Sequence, residues 1–546
     1  MTSALARSLA LITAAVLAAC SSTPPTPALP APQDLGAVAA RPSASALPAD
    51  WHQGVFMEVF VRSYQDSNGD GQGDLRGLIQ RLDHLQALGV TGLWLMPVTQ
   101  SADRDHGYAT TDFRAIERDY GSLADFDELL REAHRRGMGV VIDYVVNHGS
   151  HAHLLFQQAK SSPANAYRDW FVWADTAPAG WDIWGKYPWY WTGQKPWTWT
   201  GEVKDMPLAP AGAQEFYFGT FGPHMPDFNL KNPAVVRWHE DNLRFWLNRG
   251  LDGFRLDAVP HLVEHTAKDW NDQPESRRLT KQFYDLISSY PQRYTVCEAT
   301  AEPAAYSSES VCGSAFAFGL ERAIMEALKG EKPDAVQRIG DFFKTRPHRM
   351  ATMLANHDIF AGHRIWDQLK GDEAQYKLAA ASYLLQPGVP FVYYGEEIGQ
   401  AGLMDLPGDG PIRGPMSWDA SAPLAGFSTT GQALVRGRSP NANTHNASAQ
   451  RADPNSLFHH YRQLIALRKA SPALKRGSYE QVTVNGPVLS FVRRAEGQAL
   501  RVSLNYSAKA LPHARQGNTA WAAPVTPNAS ADWLPAWGVR VERLAP

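Results

Sequence analysis

The sequence predicts an α/β protein in which eight parallel strands, each followed by a helix, close into a barrel. An inserted subdomain follows strand 3, and an antiparallel β-sandwich follows the barrel. Three observations point there. From Val55 onward, short β-rich apolar runs alternate with longer amphipathic stretches, which argues for parallel strands joined by helices. There are eight such runs, and closing eight parallel strands removes every exposed edge, the architecture of a (β/α)8 TIM barrel. One gap between runs is far too long for a helix and is crowded with tryptophan.

The chain begins with Arg7, an apolar run from Leu9 to Ala19, and Leu17-Ala18-Ala19-Cys20. This resembles a bacterial lipoprotein signal over residues 1–20, whose small residues admit a peptidase and whose Cys20 takes the lipid; a plain secretory signal with an incidental cysteine is the alternative. Residues 21–50 are rich in Ser, Thr, Pro and Ala and poor in large apolar side chains, so a flexible tether is expected. Ser21 and Ser22 carry no acidic retention cue, which favours the outer membrane. No later stretch offers about 20 uninterrupted apolar residues. The expectation is an exported monomer that meets the membrane only through its N-terminal lipid.

The strand candidates are residues 55–61, 91–97, 140–147, 251–258, 294–298, 314–318, 350–356 and 390–394, the sixth being the weakest; helical pattern fills gaps such as 75–88 and 123–136. The barrel is assigned to 51–148 and 225–472. Residues 149–224, with Trp170, Trp173, Trp181, Trp184, Trp189, Trp191, Trp197 and Trp199, are assigned to an aromatic-rich subdomain beside the barrel mouth. After a last helix at 457–469, residues 473–546 alternate like the short strands of a sandwich.

Composition narrows the function. The formal net charge of −3 gives no electrostatic reason to expect nucleic acid. The 18 Trp and 19 Tyr stand largely in polar, Gly/Pro-rich sequence, which suits flat, weakly polar ligands. Beyond Cys20, only Cys297 and Cys312 remain, and an oxidising compartment would permit them to pair.

Catalytic groups of such barrels sit at the C-terminal ends of strands. Strand 3 ends Asp143-Tyr144-Val145-Val146-Asn147-His148, strand 4 ends Arg255-Leu256-Asp257-Ala258, strand 5 ends in Glu298, and strand 7 ends Asn356-His357-Asp358. One buried Asp on a strand is usually a structural hydrogen bonder. Taken together and in this order, these ends resemble the conserved regions of the α-amylase family of glycoside hydrolases. The resemblance extends to Met225-Pro226-Asp227-Phe228-Asn229, His106-Gly107-Tyr108 and Gly388-Val389-Pro390 through Gly395-Glu396-Glu397, and covers roughly residues 55–505.

That resemblance implies a retaining glycosidase with Asp257 as nucleophile, Glu298 as acid/base and Asp358 holding the hydroxyls that flank the reacting carbon. His148 and His357 resemble the family's sugar-binding histidines and Tyr108 its aromatic platform. Arg255, two residues before Asp257 on the same strand face, is placed to keep that carboxylate ionised. Glu298 follows the apolar run Tyr294-Thr295-Val296-Cys297, where desolvation would keep its proton.

The loop Asp66, Asn68, Asp70, Gln72, Asp74 offers oxygen ligands at alternate positions with glycines between, the layout Ca2+ prefers, although Gly77 stands where an EF-hand has its bidentate Glu. The family carries a similar loop after its first strand, so Ca2+ is the expected cofactor. A second calcium through Asn147 and the backbone of His261 lacks an identifiable carboxylate.

Met225-Pro226-Asp227 resembles the form found in neopullulanase-like and intermediate α-amylase groups rather than that of oligo-1,6-glucosidases, and Ala258 resembles α-1,4-acting relatives, so the expected substrate is an α-glucan, starch or maltooligosaccharide. Pro260 replaces a Lys that many amylases use toward the reducing-side sugar. The alternatives are an exo-acting α-glucosidase or maltose-converting transglycosidase, and a non-catalytic carbohydrate-binding lipoprotein. The intact Asp257, Glu298 and Asp358 count against the last.

Overall fold

The structure, a computed structural model, describes residues 34–193, 209–430, 436–524 and 532–545. The signal segment, Cys20, Trp197 and Trp199 lie outside the described residues. No described helix is long and apolar enough to cross a membrane.

Seven strands form one all-parallel sheet in the order Tyr294–Cys297, Gly253–Asp257, Gly139–Val145, Gly92–Leu95, Phe56–Val59, Val389–Tyr393, Ala351–Thr352. The sixth expected run completes the ring with only two isolated parallel bridges, Cys297 to Ala315 and Phe316 to Ala351. Its ladder stays this short because the chain turns at Gly319, in a left-handed conformation, and enters the helix Leu320–Lys329. Each barrel strand is covered on both faces, which is why the runs read as continuous apolar sequence; all seven residues of Gly139–Val145 are buried.

The helices start where local chemistry dictates. In Leu75–Leu88 the Asp74 carboxylate accepts the Gly77 N–H, and Gly89, with φ of 100°, ends the helix. In Leu123–Arg135, Ser122 and Asp125 cap each other reciprocally. Inside the barrel Trp51, Phe56, Trp94, Val141, Val296, Phe316 and Phe391 form one cluster, with Phe56 and Phe391 stacked at 4.6 Å between centroids. Burying each such side chain is worth about 1.5–3 kcal/mol.

The inserted segment forms a three-stranded antiparallel sheet, with Phe216–Phe218 between Trp173–Ala174 and Trp189–Trp191. Its small core comprises Ile183, Trp189, Phe216 and Phe218, with Trp181 and Trp191 against it. The C-terminal region is a five-stranded antiparallel sheet, in the order Glu480–Asn485, Val488–Ala495, Gln498–Asn505, Val539–Arg543, Asn518–Ala523. The pair Leu511–Pro512 and Trp533–Leu534 is the second, much smaller layer.

One expectation is corrected. The stretch assigned to a flexible tether has no helix or strand, yet from Gly36 onward it is bound along the barrel. Val38 N–H donates to Asp241 (3.0 Å), Arg41 N–H to Asn248 (2.9 Å) and Ser45 Oγ to Asp252 (2.8 Å), while Gly36 O accepts from Arg114 (2.9 Å). Leu47 is 5% exposed and joins the barrel core beside Trp51, whose ring lies where a Cβ on Gly139 would be. Low apolar content did not preclude docking, because the barrel's own side chains satisfy the strap's backbone.

Cys297 and Cys312 form a disulfide, with 6.3 Å between Cα atoms.

Candidate active site

Arg255 organises the floor of the barrel mouth. It is 1% exposed and shares the strand Gly253–Asp257 with Asp257, two residues on and therefore on the same face. Its Nη1 donates to Asp257 Oδ1 (2.5 Å) and to Asp143 Oδ1 (2.8 Å), and its Nη2 meets Glu298 Oε2 at 2.8 Å. Glu298 Oε2 also accepts the Ala258 N–H at 3.1 Å, and Ala258 reaches it from a left-handed conformation with φ of 49°. The expected apolar wall behind Glu298 is thus replaced by a guanidinium and a backbone donor.

Opposite, His357 is fully buried between Glu58 Oε1 at 2.6 Å from Nδ1 and Tyr108 Oη at 2.6 Å from Nε2, and Asp358 Oδ2 lies 3.2 Å from Nε2. The Tyr108 ring stacks on His357 at 5.5 Å, and its hydroxyl donates to Asp143 Oδ2 (2.8 Å). Burial holds the His357 ring well below its usual pKa, with Arg413 and Arg255 adding to the effect; burial and the nearby Asp358 push Glu58 well above the usual range. A protonated Glu58 donating to Nδ1 leaves the single imidazole proton on Nε2, directed at Tyr108 Oη.

Arg413 is the second guanidinium: Nη2 reaches Asp358 Oδ1 (3.1 Å) and Asp409 Oδ2 (2.9 Å), and Nε donates to the His357 carbonyl (2.8 Å). Around these two cations, burial raises Asp143 to about 6 against the pull of Arg255, and Asp358 to about 7 against Arg413. Burial likewise raises Asp257 while Arg255 pulls it down and Glu298 and Asp143 push it up. More carboxyl groups than guanidinium groups share the floor, so the cluster retains protons where isolated carboxyls would be ionised.

These groups open into a cavity of ≈ 330 Å³ lined by His106, Tyr108, His148, Asp257, Glu298 and Asp358, with Phe221 and Phe360 toward its rim. Burial depresses His148 to about 3, so it is neutral. The structure therefore brings all seven expected catalytic and sugar-binding residues together: Asp257, Glu298, Asp358, Tyr108 and His148 line the cavity, His357 is buried against Tyr108 and Asp358, and Arg255 lies beneath it.

Comparison with known proteins agrees with this geometry. The family described as alpha amylase, catalytic domain, matches residues 58–477. The chain belongs to the α-amylase family. It is 33% identical to the trehalose synthase/amylase TreS of Mycobacterium tuberculosis over 83% of this chain and 82% of that protein. It is 32% identical to a probable alpha-glucosidase of Rhizobium meliloti (91% and 97% covered) and 32% identical to alpha-amylase 3 of Dictyoglomus thermophilum (83% and 85%). The trehalulose synthase MutB from Pseudomonas mesoacidophila MX-45 superposes with a TM-score of 0.77 at 25% identity, covering 90% of this chain and 99% of that one. The protein is therefore an α-amylase-family glycosidase, and its eight-membered barrel is the family's.

Several residues of this α-amylase-family site escaped the sequence reading. Arg413, Asp409 and Glu58 complete the floor. Asp105, next to the motif His106-Gly107-Tyr108, is clasped by Arg436 through two contacts of 2.8 Å. Burial opposes ionisation of Asp105, but the guanidinium overrides it and holds the carboxyl at about 2. Asp227, from the motif already noted, and Glu264 are buried carboxyls; burial raises the first to about 7 and the second well above its usual range, with Asp227 adding to the rise of Glu264. No periodicity marks such residues, which come from loops apart from Glu58 on the strand Phe56–Val59.

The expected calcium loop lies at the first helix. Asp66 accepts N–H bonds from Asn68, Gly69 and Gly71 and a hydroxyl from Ser428; Asp70 accepts the Gln72 N–H; Asp74 accepts from Ser67 and caps the helix. Gly69 and Gly71 take the positive φ values, 82° and 89°, that the turn demands. Gln72 turns its side-chain oxygen to Arg62, leaving its carbonyl as the oxygen it can offer the loop. Among the described residues no three His, Cys, Asp or Glu groups already converge as a metal set. The donors, all oxygen, have the chemistry Ca2+ prefers.

Proposed function

We propose that this protein is a retaining hydrolase of α-1,4-glucosidic bonds in maltooligosaccharides and starch, exported and lipid-anchored as a monomer. The observation that supports it is the clasp of two facing carboxylates, Asp257 and Glu298, by the one guanidinium of Arg255 on the cavity floor. A shared guanidinium suits the roughly 5 Å carboxyl separation of retaining enzymes, with no room for the water that inverting pairs enclose.

In this reading Glu298 gives its proton to the glycosidic oxygen as Asp257 attacks the anomeric carbon, forming a glycosyl ester. Water then attacks that carbon, Glu298 takes its proton, and the sugar leaves with its α configuration kept. Asp358 and His357 hold hydroxyls beside the reacting carbon, the Nε2 proton turning from Tyr108 Oη to the sugar; His148 and the Tyr108 face complete the sugar's surroundings. Arg255 supports the charge that develops on Glu298 as its proton leaves.

Ca2+ in the loop would be held by Asp66, Asn68, Asp70, the Gln72 carbonyl and Asp74. It would replace the loop's own N–H contacts and fix the start of the first barrel helix, without touching the reaction. Adding a chelator is then expected to lower Tm by about 5 °C in thermal melts with calcium as the control; no shift removes the ion from the account.

A second reading, an exo-acting α-glucosidase or transglycosidase, is favoured by the charged wall of Asp358, Arg413 and Asp409 beside a cavity sized for one or two sugar rings. The relatives named trehalose synthase and alpha-glucosidase point the same way. Maltoheptaose digestion separates the two: early mixed α-configured oligosaccharides support the first reading, glucose alone or rearranged disaccharide supports the second, and no turnover of any glucan defeats both.

A further inference from the structure

Trp184 stands at the tip of a two-residue hairpin turn in the inserted subdomain. Ile183 and Lys186 exchange both backbone hydrogen bonds, at 2.8 and 2.9 Å, and the two residues between them, Trp184 and Gly185, have φ of 51° and 80°. Such turns call for Asn or Gly at the first position because a bulky side chain is strained there. The large ring is also 59% exposed, the most open of the large apolar side chains among the described residues. The ring is only part-packed and its backbone is strained, and strain held at an exposed tip is a mark of function.

The ring's neighbours say where it stands. Its ring stands perpendicular to His261 at 5.3 Å and to Trp270 at 5.4 Å, and those two rings stack on each other at 5.4 Å with an interplanar angle of 12°. Phe221, 5.8 Å away, lines the cavity and touches His148. His261 N–H donates to the Ala258 carbonyl (3.0 Å), and Ala258 N–H holds Glu298 Oε2. The aromatic group is thus continuous with the acid/base side of the cavity, while Asp358, His357 and Tyr108 occupy the other side. The group that Glu298 protonates is the leaving sugar, so the chain of rings leads outward along the leaving-group direction.

We infer that Trp184 is a specificity-determining platform for the glucosyl units on the leaving-group side of the scissile bond, held rigid by the His261–Trp270 stack. The apolar face of a pyranose ring lies on the exposed indole, and the strained turn fixes the ring without the entropy cost of a mobile loop. The inference rests on the proposed glucan hydrolysis and names the part of the substrate that the site selects.

The test uses Trp184→Asn, which suits the turn, and Trp184→Phe, which keeps a ring. Two substrates separate the roles: maltoheptaose carries sugars on the leaving side, and α-glucosyl fluoride carries none. For Trp184→Asn, kcat/KM on maltoheptaose is expected to fall roughly 10-fold, chiefly through KM, while α-glucosyl fluoride stays within about 2-fold. The melting temperature should hold or rise, and Trp184→Phe should recover most of the lost maltoheptaose activity. Equal losses on both substrates would make the residue merely structural, and an undiminished maltoheptaose rate would leave it idle; either overturns the inference. A wild-type protein that turns over α-glucosyl fluoride but no maltooligosaccharide would instead defeat the functional reading, and the inference with it.

Discussion

At the floor of the cavity, Arg255 and Arg413 lie within reach of Asp143, Asp257, Glu298, Asp358 and Asp409, and each guanidinium touches several carboxyls. At the rim stand the aromatic rings of Phe221 and Phe360, with Trp184 beyond Phe221; Trp184 is 59% and Phe360 52% exposed. The floor is carried mostly on barrel strands and their immediate ends; the rim comes from an inserted hairpin and loops. Rigid strands can hold charges in a geometry that neutralises neighbours only partly, which acid/base work requires. Exposed rings on short turns tolerate replacement, so they are where substrate choice can vary without loss of the reaction.

That contrast breaks most visibly at Asp257. Asp257→Asn is expected to keep the fold and lose at least about 10³-fold in kcat on every substrate, α-glucosyl fluoride included. Residual activity near wild type would place the chemistry elsewhere. Arg255→Lys probes whether one planar fork is needed: an ammonium cannot span Asp143, Asp257 and Glu298 together, so a loss of about 10²-fold in kcat and about 3 kcal/mol in urea-derived stability is expected. A variant that only raises KM would show that the floor acts through binding alone.

The staple beside Glu298 comes next. Replacing Cys297 and Cys312 with Ser frees a loop of 15-residue separation and should cost about 3 kcal/mol in urea unfolding. The loss of activity below the melting range should be the smaller effect, since Arg255 and Ala258 still hold Glu298.

The smallest effect concerns Asp105 and Arg436. Because the folded Asp105 carboxyl is depressed to about 2, its contribution is present above the unfolded value near 4 and is lost as pH falls through about 2. Comparing wild type with Asp105→Asn should show a gap of about 2 kcal/mol at pH 6 that narrows as pH drops below about 4. A gap that does not change with pH would mean the pair acts by packing alone.

The sequence made the strands and the chemistry at their ends legible for the same reason: a buried parallel strand writes an uninterrupted apolar run, and a polar group at its end stands out. Helices at 75–88 and 457–469 were equally plain from their pattern, and both match the observed Leu75–Leu88 and Leu457–Lys469. What stayed hidden was made by contacts across long separations. Arg436 finds Asp105, and Gly36 finds Arg114, through folding alone. Nor does residue type separate Trp189, 8% exposed in the subdomain core, from Trp184 five positions earlier at its surface. The difference lies in a turn, and the Trp-Gly pair that forms it lacks the usual Asn.

The barrel's ring of hydrogen bonds is uneven, and its thinnest place is the sixth position, where isolated bridges at Ala315 and Phe316 replace a ladder. Thermal breathing concentrates where few bonds must break together, so amide exchange of the ring should be fastest there. Cys312, on the approach to that segment, is bonded to Cys297 on the neighbouring strand, so the covalent cross-link spans the very joint the backbone leaves weak. Without the cross-link, those few backbone bonds alone hold the ring shut at this joint, and any opening there would offer two unpaired strand edges to other chains.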